Sequence, residues 1–152
     1  MSGLSASSWI DAAYEASRGS NCVRRSVGTV LVCKDSLVIS ARNGVHESFE
    51  NCLEAGCPRC KDGGRVGMGY DLCLCVHAEQ AAIAEAARRG LAIEGCSAYV
   101  TLRPCLTCLV LMLDAGVAEV FFDEDWTYDA DVEAAYQRVA SRFRRFSKAE
   151  PH

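Results

Sequence analysis

The sequence predicts an α/β fold, a layered β-sheet with helices on both faces. Two observations favour this class. Two β-branched runs near the N-terminus form a hairpin pattern, and beyond residue 77 helical and strand patterns alternate along the chain. A length of 152 residues suits one domain with one core. We therefore expect a single domain over residues 1–152.

The first part of the chain predicts one helix and one hairpin. Residues 5–18 have the periodicity of an amphipathic helix, with Ser7 or Ser8 as its N-cap. The apolar runs 26–33 and 36–42 are separated by Lys-Asp-Ser, which is typical of a β-hairpin. The Gly-, Cys- and Pro-rich stretch that follows is longer than an idle loop, so it must be disordered or carry its own organising element.

The second part of the chain predicts three helices and two strands. Helical patterns cover 77–89, 105–115 and 129–145, and strand patterns cover 96–102 and 117–123. Gly90 and Gly116 end the first two of these helices. We expect the C-terminal tail, Ser-Lys-Ala-Glu-Pro-His, to be frayed.

Composition and charge exclude several broad classes of protein. Half of the residues are apolar and 24% are charged, which is typical of a globular chain. The net charge of −4 argues against binding to nucleic acid through bulk positive charge. No signal peptide and no apolar run of membrane-spanning length is visible. We therefore expect a cytoplasmic protein with no membrane partner and no nucleic-acid partner.

The chain contains ten cysteines, and their spacing favours metal binding over disulfide bonds. Five lie within residues 52–75, and Cys105 and Cys108 form a separate pair. A secreted disulfide framework is the ordinary interpretation of a short cysteine-rich chain, but no sign of secretion is present. Clusters at two-residue gaps are typical of thiolate–metal sites. The three isolated cysteines are expected to be small buried side chains, namely Cys22, Cys33 and Cys96.

Two predicted helix starts carry residues of the kind that bind catalytic zinc. Cys105 and Cys108 follow Pro104 on one face of a helix start, where the helix dipole favours thiolates. Together with the imidazole of His77 they give three ligands and leave a fourth position for water. Such a water loses its proton near neutral pH, and Glu79 is placed to accept that proton.

Each of these residues also has an ordinary structural interpretation. His77 can be a helix cap, and the two cysteines can be buried helix residues. The joint pattern His-x-Glu…Pro-Cys-x-x-Cys is nevertheless typical of zinc deaminases, and it favours a reaction centre.

Five segments of the sequence resemble the cytidine and deoxycytidylate deaminase superfamily, in its deoxycytidylate branch. They are SNCVRRSVGTVLV, ARNG, VHAEQAAI, TLRPCLTC and FFDEDWTYDADVEAAYQRVASRFRRF. The resemblance covers nearly the whole chain. It implies a single deaminase domain with a three-layer α/β/α sandwich, a mixed central sheet and zinc at two helix N-termini.

The resemblance implies a zinc-dependent hydrolytic deaminase of a free cytosine nucleotide, with dCMP as the first candidate. His77, Cys105 and Cys108 would hold the zinc, and Glu79 would shuttle the proton while water adds at C4 of cytosine and ammonia leaves. Family members also form homo-oligomers. The family has Asn where Ala82 stands. It also has Gly-Tyr before its Asn-Gly turn, where this chain has Ala41-Arg42. Since the Gly-Tyr-Asn-Gly form of that turn accompanies control by dCTP and dTTP, the sequence does not predict such control.

Other functions remain open from the sequence. The same chemistry fits dCTP, a modified or antibiotic cytosine nucleoside, guanine or, with less support from the acidic balance, adenosine in transfer RNA. A non-enzymatic alternative is a zinc-stabilised module that binds a partner through the insertion. Glu79 argues against that alternative, because a structural metal does not need this carboxylate.

The cysteine-rich insertion at about residues 44–75 predicts a second, structural zinc. Its cysteines form a Cys-x-x-Cys knuckle and a nearby Cys-x-Cys pair, and four thiolates leave no open position for a substrate. Free surface thiols are the alternative interpretation. The predicted ligands are Cys57, Cys60, Cys73 and Cys75, with Cys52 or, more weakly, His46 as substitutes.

Substrate contacts are predicted just before the first strand, just after the second strand and just after the last strand. Arg24 and Arg25 have guanidinium groups that match a phosphate, although a solvated turn is an equal alternative. Asn43 can bond the sugar or only serve its turn. Tyr128 is preferred to Trp126 for stacking on the base. The resemblance thus implies substrate contacts at Arg24, Asn43, Ala78 and Tyr128.

Overall fold

The computed structural model describes residues 3–54, 56–60 and 72–151. Within these ranges it forms four α-helices and five β-strands. The helices are α1 Ala6–Ser17, α2 Ala78–Arg89, α3 Leu106–Asp114 and α4 Ala130–Ala140. The strands are β1 Gly28–Val32, β2 Val38–Arg42, β3 Ser97–Leu102, β4 Glu119–Glu124 and β5 Arg145–Lys148. The glycine-rich part of the insertion at 63–69 lies outside the described residues.

The five strands form one mixed sheet in the order β2-β1-β3-β4-β5. The predicted hairpin is present as the antiparallel pair β1–β2, in which Val30 lies opposite Ser40, and β1 is also antiparallel to β3. The pairs β3–β4 and β4–β5 are parallel, as expected where helices connect successive strands.

Helices cover both faces of this sheet. Successive strand residues point to opposite sides, so each face presents apolar side chains that a helix can bury. On one face, Ile10 of α1 packs against Phe121 of β4 and Tyr99 of β3. On the other face, α2, α3 and α4 bury a larger core that includes Ala82, Met112 and Tyr136. The predicted α/β/α sandwich with a mixed sheet is therefore confirmed.

The first helix lies within the predicted range 5–18, but its N-cap is earlier than predicted. We predicted Ser7 or Ser8 as its N-cap, but Ser5 holds this position, and its side chain accepts a hydrogen bond from the backbone N–H of Ser8 at 3.2 Å. All three serines are suitable caps, so the local sequence did not distinguish them.

The C-terminal segment contains a strand that the sequence analysis missed. A helix was predicted over 129–145 and a frayed tail after it, but α4 ends at Ala140 and β5 follows. Phe146 packs against Phe122 and Tyr136, with ring centroids 5.3 and 5.6 Å away. This burial of an aromatic ring favours pairing with β4 over continuation of the helix.

Cys33 and Cys96 form a disulfide bond across the ends of β1 and β3. Cys96 is buried as predicted, but Cys33 is only half-buried. Neither cysteine is isolated, because strand pairing over a separation of 63 residues brings them together. No helix in the described ranges combines the length and the apolar character needed to cross a lipid bilayer.

Candidate active site and thiol cluster

His77, Cys105 and Cys108 come together at the starts of α2 and α3. His77 is the N-cap residue of α2, and Cys105 is that of α3. The Nδ1 atom of His77 lies 3.5 Å from Cys105 Sγ and 3.3 Å from Cys108 Sγ. The three ligand atoms all lie within 4.8 Å of one another. Two thiols and one imidazole at this spacing fit the donor set of a zinc site with an open position.

The backbone around His77 is held from two sides. Gln80 Oε1 accepts a hydrogen bond from the His77 backbone N–H at 2.8 Å. Just before it, Gly44 and Val76 exchange two backbone hydrogen bonds, of 3.1 and 3.0 Å. These contacts fix the direction in which the chain enters α2, and with it the position of the imidazole.

The two thiols differ in acidity. The hydrogen bond from Cys108 and then that with His77 lower the pKa of Cys105 to about 4. The same contact with Cys105 raises the pKa of Cys108, and a hydrogen bond with Cys105 raises the pKa of His77. Cys105 is thus the thiol that ionises first, and the thiolate is the form that binds a metal.

Glu79 lies next to these three residues and is 5% exposed. Burial raises the pKa of its carboxyl group to about 7, while its own backbone N–H and the Cys108 side chain act in the opposite direction. A carboxyl group with a pKa near neutrality can both take up and release a proton at physiological pH. This is the property that a proton shuttle needs.

A cavity of about 370 Å³ opens beside this group. Its wall includes all four residues that were predicted to contact substrate, which are Arg24, Asn43, Ala78 and Tyr128. It also includes His77, Glu79 and Cys105. The predicted substrate contacts therefore share one pocket with His77, Glu79 and Cys105, although they come from distant parts of the sequence.

Two of the predicted contacts also have structural partners. The Asn43 side chain accepts a hydrogen bond from Val27 N at 2.9 Å and donates one to the carbonyl of Arg25 at 2.7 Å. Arg24 Nε donates to Cys60 Sγ at 3.2 Å. Asn43 therefore organises the loop before β1, which is the turn function that the sequence left open.

Arg103 is a buried cation at the pocket wall that the sequence analysis did not single out. It makes two hydrogen bonds to the Glu133 carboxylate, of 2.8 and 3.0 Å, and one of 3.0 Å to the Trp126 carbonyl. Its guanidinium also lies 3.9 Å from the Tyr136 ring centroid and 5.3 Å from that of Tyr128. Arg103 thus positions the loop that carries Trp126 and Tyr128.

Trp126 itself is not a core residue. It is 41% exposed, and the Arg25 guanidinium lies over its ring at 5.1 Å.

A fourth arginine, Arg59, reaches this pocket from the insertion. Arg59 lies between the two cysteines of the Cys-x-x-Cys knuckle and lines the cavity together with Arg24 and Arg25. Its positive charge also lowers the pKa of His77, which opposes the larger effect of Cys105. The sequence offered no signal for this role, because a loop arginine is usually solvated.

The cysteines of the insertion lie in a group that is larger than predicted. Three overlapping trios have all their sulfur atoms within 4.8 Å of one another; they are Cys22–Cys52–Cys75, Cys52–Cys57–Cys60 and Cys57–Cys73–Cys75. Cys22 was expected to be an isolated buried side chain, and that expectation is wrong, because it is only half-buried and joins this thiol cluster. None of these three trios contains His46, the weaker of the predicted substitute ligands, and its Nδ1 atom lies 2.8 Å from Ser48 Oγ.

The fold and the His–Cys–Cys trio place the chain in the class of zinc-binding proteins with a cytidine deaminase-like fold. The chain belongs to the cytidine and deoxycytidylate deaminase family, since the model of that family's zinc-binding region matches residues 5–124. This match confirms the family that the sequence motifs resemble.

Two fungal proteins are similar to most of the chain. Deoxycytidylate deaminase of Schizosaccharomyces pombe is 33% identical over 142 residues, which cover 93% of this chain and 44% of that protein. Deoxycytidylate deaminase of Saccharomyces cerevisiae is 34% identical over 131 residues, covering 86% and 41%. The chain thus spans less than half the length of these curated relatives.

A solved structure supports the same fold. The dCMP deaminase of cyanophage S-TIM5, crystallised with dCMP and dUMP, superposes with a TM-score of 0.71 at 24% identity. The match covers 93% of this chain and 94% of the phage chain.

Proposed function

We propose that this protein is a zinc-dependent hydrolytic deaminase that converts dCMP and water to dUMP and ammonia. The observation that carries the proposal is the buried carboxyl group of Glu79 beside a His–Cys–Cys trio in an arginine-lined pocket. The names of the two fungal relatives and the nucleotides bound to the phage enzyme support dCMP as the substrate.

Zinc would be held by His77, Cys105 and Cys108. When bound there, a zinc ion with three protein ligands acidifies a water molecule in its fourth position and makes it nucleophilic near neutral pH. Glu79 takes one proton from the water and delivers it to N3 of cytosine while the water oxygen bonds to C4. It then passes the proton of the new C4 hydroxyl group to the amino group, so that the C4–N bond breaks, ammonia leaves and the C4 carbonyl of uracil forms.

The rest of the pocket would bind and orient the nucleotide. Arg24, with Arg25 and Arg59, supplies positive charge for one phosphate group. Asn43 faces the sugar, and Tyr128 stacks on the base. Ala78 has only a methyl side chain, so its contribution is a main-chain contact at the start of α2.

The chain would act as one deaminase domain over residues 1–152, with the insertion at 44–75 carrying a structural zinc site. We further propose a homo-oligomer. Exposed apolar side chains on the insertion and on α3 support self-association, among them Leu53 (70% exposed), Leu72 (58%) and Val110 (40%). A solution mass equal to one chain, measured by sedimentation equilibrium, would contradict this proposal.

The substitution Glu79→Gln tests the proton-shuttle role. It should keep the bound zinc but lower ammonia release from dCMP by about 10²- to 10⁴-fold, because general acid–base catalysis contributes factors of this size. The measurements are kcat for ammonia release and zinc content by elemental analysis. Unchanged turnover would remove Glu79 from the mechanism, and Glu85→Gln, a change on the outer face of α2, serves as the matched control.

A panel of substrates tests the choice of dCMP. Ammonia release should be fastest with dCMP and much slower with dCTP, deoxycytidine, guanine and a transfer-RNA anticodon stem that contains adenosine. Preference for any other member of the panel would replace dCMP as the substrate while leaving the chemistry in place. Adding dCTP and dTTP to the dCMP assay in turn reports whether they control the rate.

A further inference from the structure

Six thiols converge beside the proposed active site, and they are more than one zinc ion can bind in a tetrahedral site. The groups that they form share three members, because Cys52, Cys57 and Cys75 each belong to two trios. Every pair among these three occurs in some trio, so their sulfur atoms all lie within 4.8 Å of one another, and Cys52 and Cys75 are only 3.4 Å apart. The remaining thiols each extend one edge of this central triangle; they are Cys22, Cys60 and Cys73.

We infer that these six cysteines hold two zinc ions as one binuclear thiolate cluster. Zinc in structural sites takes four ligands in a tetrahedron, so a single ion would leave two of the six thiols without metal. Two ions need eight ligand positions, which six thiolates supply when two of them bridge both metals. The central triangle of Cys52, Cys57 and Cys75 is the source of the bridging pair, since only these thiols are shared between groups.

Burial and charge favour two ions over one. Cys57 is fully buried and Cys52 is 6% exposed, so uncompensated thiolates there would be costly. Six thiolates around one divalent ion would leave four negative charges, whereas two ions leave two.

The structure supplies matching donors around the cluster. Arg24 Nε lies 3.2 Å from Cys60 Sγ, and Arg59 Nη1 lies 4.0 Å from Cys73 Sγ. The backbone N–H of Leu74 donates to Cys57 Sγ at 3.5 Å. Two guanidinium groups balance the two charges that remain with two zinc ions, and hydrogen bonds of this kind orient and tune metal-bound thiolates.

The inference does not rest on the proposed deaminase activity, because none of the six thiols belongs to the His–Cys–Cys trio. It makes a direct statement about metal content. The whole protein, purified under reducing conditions with zinc present, should contain three zinc ions per chain by elemental analysis and native mass spectrometry. Cys108→Ser, which disrupts only the other site, should retain two. Two zinc ions in the parent protein, or one in this variant, would overturn the binuclear cluster.

Cadmium replacement tests the bridging thiolates without any substitution. The ¹¹³Cd NMR spectrum of the parent protein should contain two all-thiolate resonances that couple to each other through shared sulfur atoms. A single all-thiolate resonance would overturn the inference, and so would iron with acid-labile sulfide in the purified protein. Cys22→Ser should lose at least one zinc ion, whereas Cys33→Ser, a control outside the cluster, should keep all three.

Discussion

The Glu79 carboxyl group lies in an environment that moves its protonation into the physiological range. Burial raises its pKa to about 7, so at lower pH the carboxyl is protonated and cannot accept the proton of water. A cation bound to the adjacent trio lowers this pKa by Coulomb attraction. The activity should therefore decrease on the acidic side, with a midpoint at or below pH 7.

The pH profile of kcat should show this limb. We expect kcat for dCMP to fall as the pH decreases below about 7, since only the carboxylate form of Glu79 is active. Deoxycytidine is the control, because it lacks the phosphate group, which itself titrates near pH 6. A limb with both substrates assigns the titration to the protein, and a kcat that stays constant between pH 8 and pH 5 would contradict the role of Glu79.

Arg59 is the residue through which the insertion reaches the cavity beside Glu79. Arg59→Ala should lower kcat/KM for dCMP by roughly 10- to 100-fold, because one charge-assisted contact to phosphate is worth about 1.5–3 kcal/mol. The nucleoside deoxycytidine should be affected little. The measurement is the ratio of kcat/KM for the two substrates, with zinc content checked, since Arg59 also lies near Cys73.

Arg88→Ala is the matched control for this substitution, because Arg88 is an exposed arginine that pairs with Glu85 on α2. It should leave the ratio unchanged. Arg24→Ala should shift the ratio in the same direction as Arg59→Ala. Equal losses for nucleotide and nucleoside would show that these arginines do not contact the phosphate.

The residues that sequence analysis found are those whose partners lie close in the chain. His77 with Glu79, and Cys105 with Cys108, each lie within one helix turn, so the spacing alone predicted a zinc site. Arg103 could not be found in this way, since its partner Glu133 is 30 residues away. The same applies to Cys22, which joins its thiol cluster only when the insertion folds back on it.

At the scale of elements, the hairpin and the alternating helices were predictable because each has a strong local period. β5 was not predictable, since half of the residues in the segment 141–148 are charged and its strand forms only because β4 offers an edge. Ala82 illustrates a related limit. The family resemblance implied asparagine there, whereas the structure buries the Ala82 methyl group in the main core. A buried apolar side chain at this position needs no polar partner.

The packing of α1 on β1 depends on one glycine. A Cβ atom at Gly28 would lie 1.8 Å from the backbone oxygen of Ala13, and a backbone atom cannot move aside as a side chain can. Gly28→Ala should therefore destabilise the protein by about 3 kcal/mol, the upper part of the range for overpacking. Urea denaturation measures the change, and Gly3→Ala, where the space is open, should stay within about 0.5 kcal/mol. Equal stability of the two variants would show that α1 can shift away from the sheet.

The whole molecule contains separate buried regions that depend on different forces. The sheet with α2, α3 and α4 encloses a large apolar core, and α1 covers a smaller one on the opposite face. The insertion has its own small cluster, in which Val45 packs among cysteines. Apart from a short 3-10 turn at Cys52–Glu54, the described part of the insertion has little regular structure, so we expect its order to depend on the proposed thiolate–metal bonds.

Removal of the metal ions should therefore loosen the protein locally. We expect a strong chelator to increase amide hydrogen exchange in residues 44–60 and 72–76, while β3 and β4 keep their protection, because local opening reflects the contacts of each region. Cys75 is two residues before His77, so the start of α2 should also exchange faster. Mass spectrometry of peptides from zinc-loaded and chelated protein measures this, and adding zinc back should restore the protection. Unchanged exchange in the insertion would mean that packing alone orders it. Simultaneous loss of protection in the sheet would mean that the metal ions stabilise the whole fold.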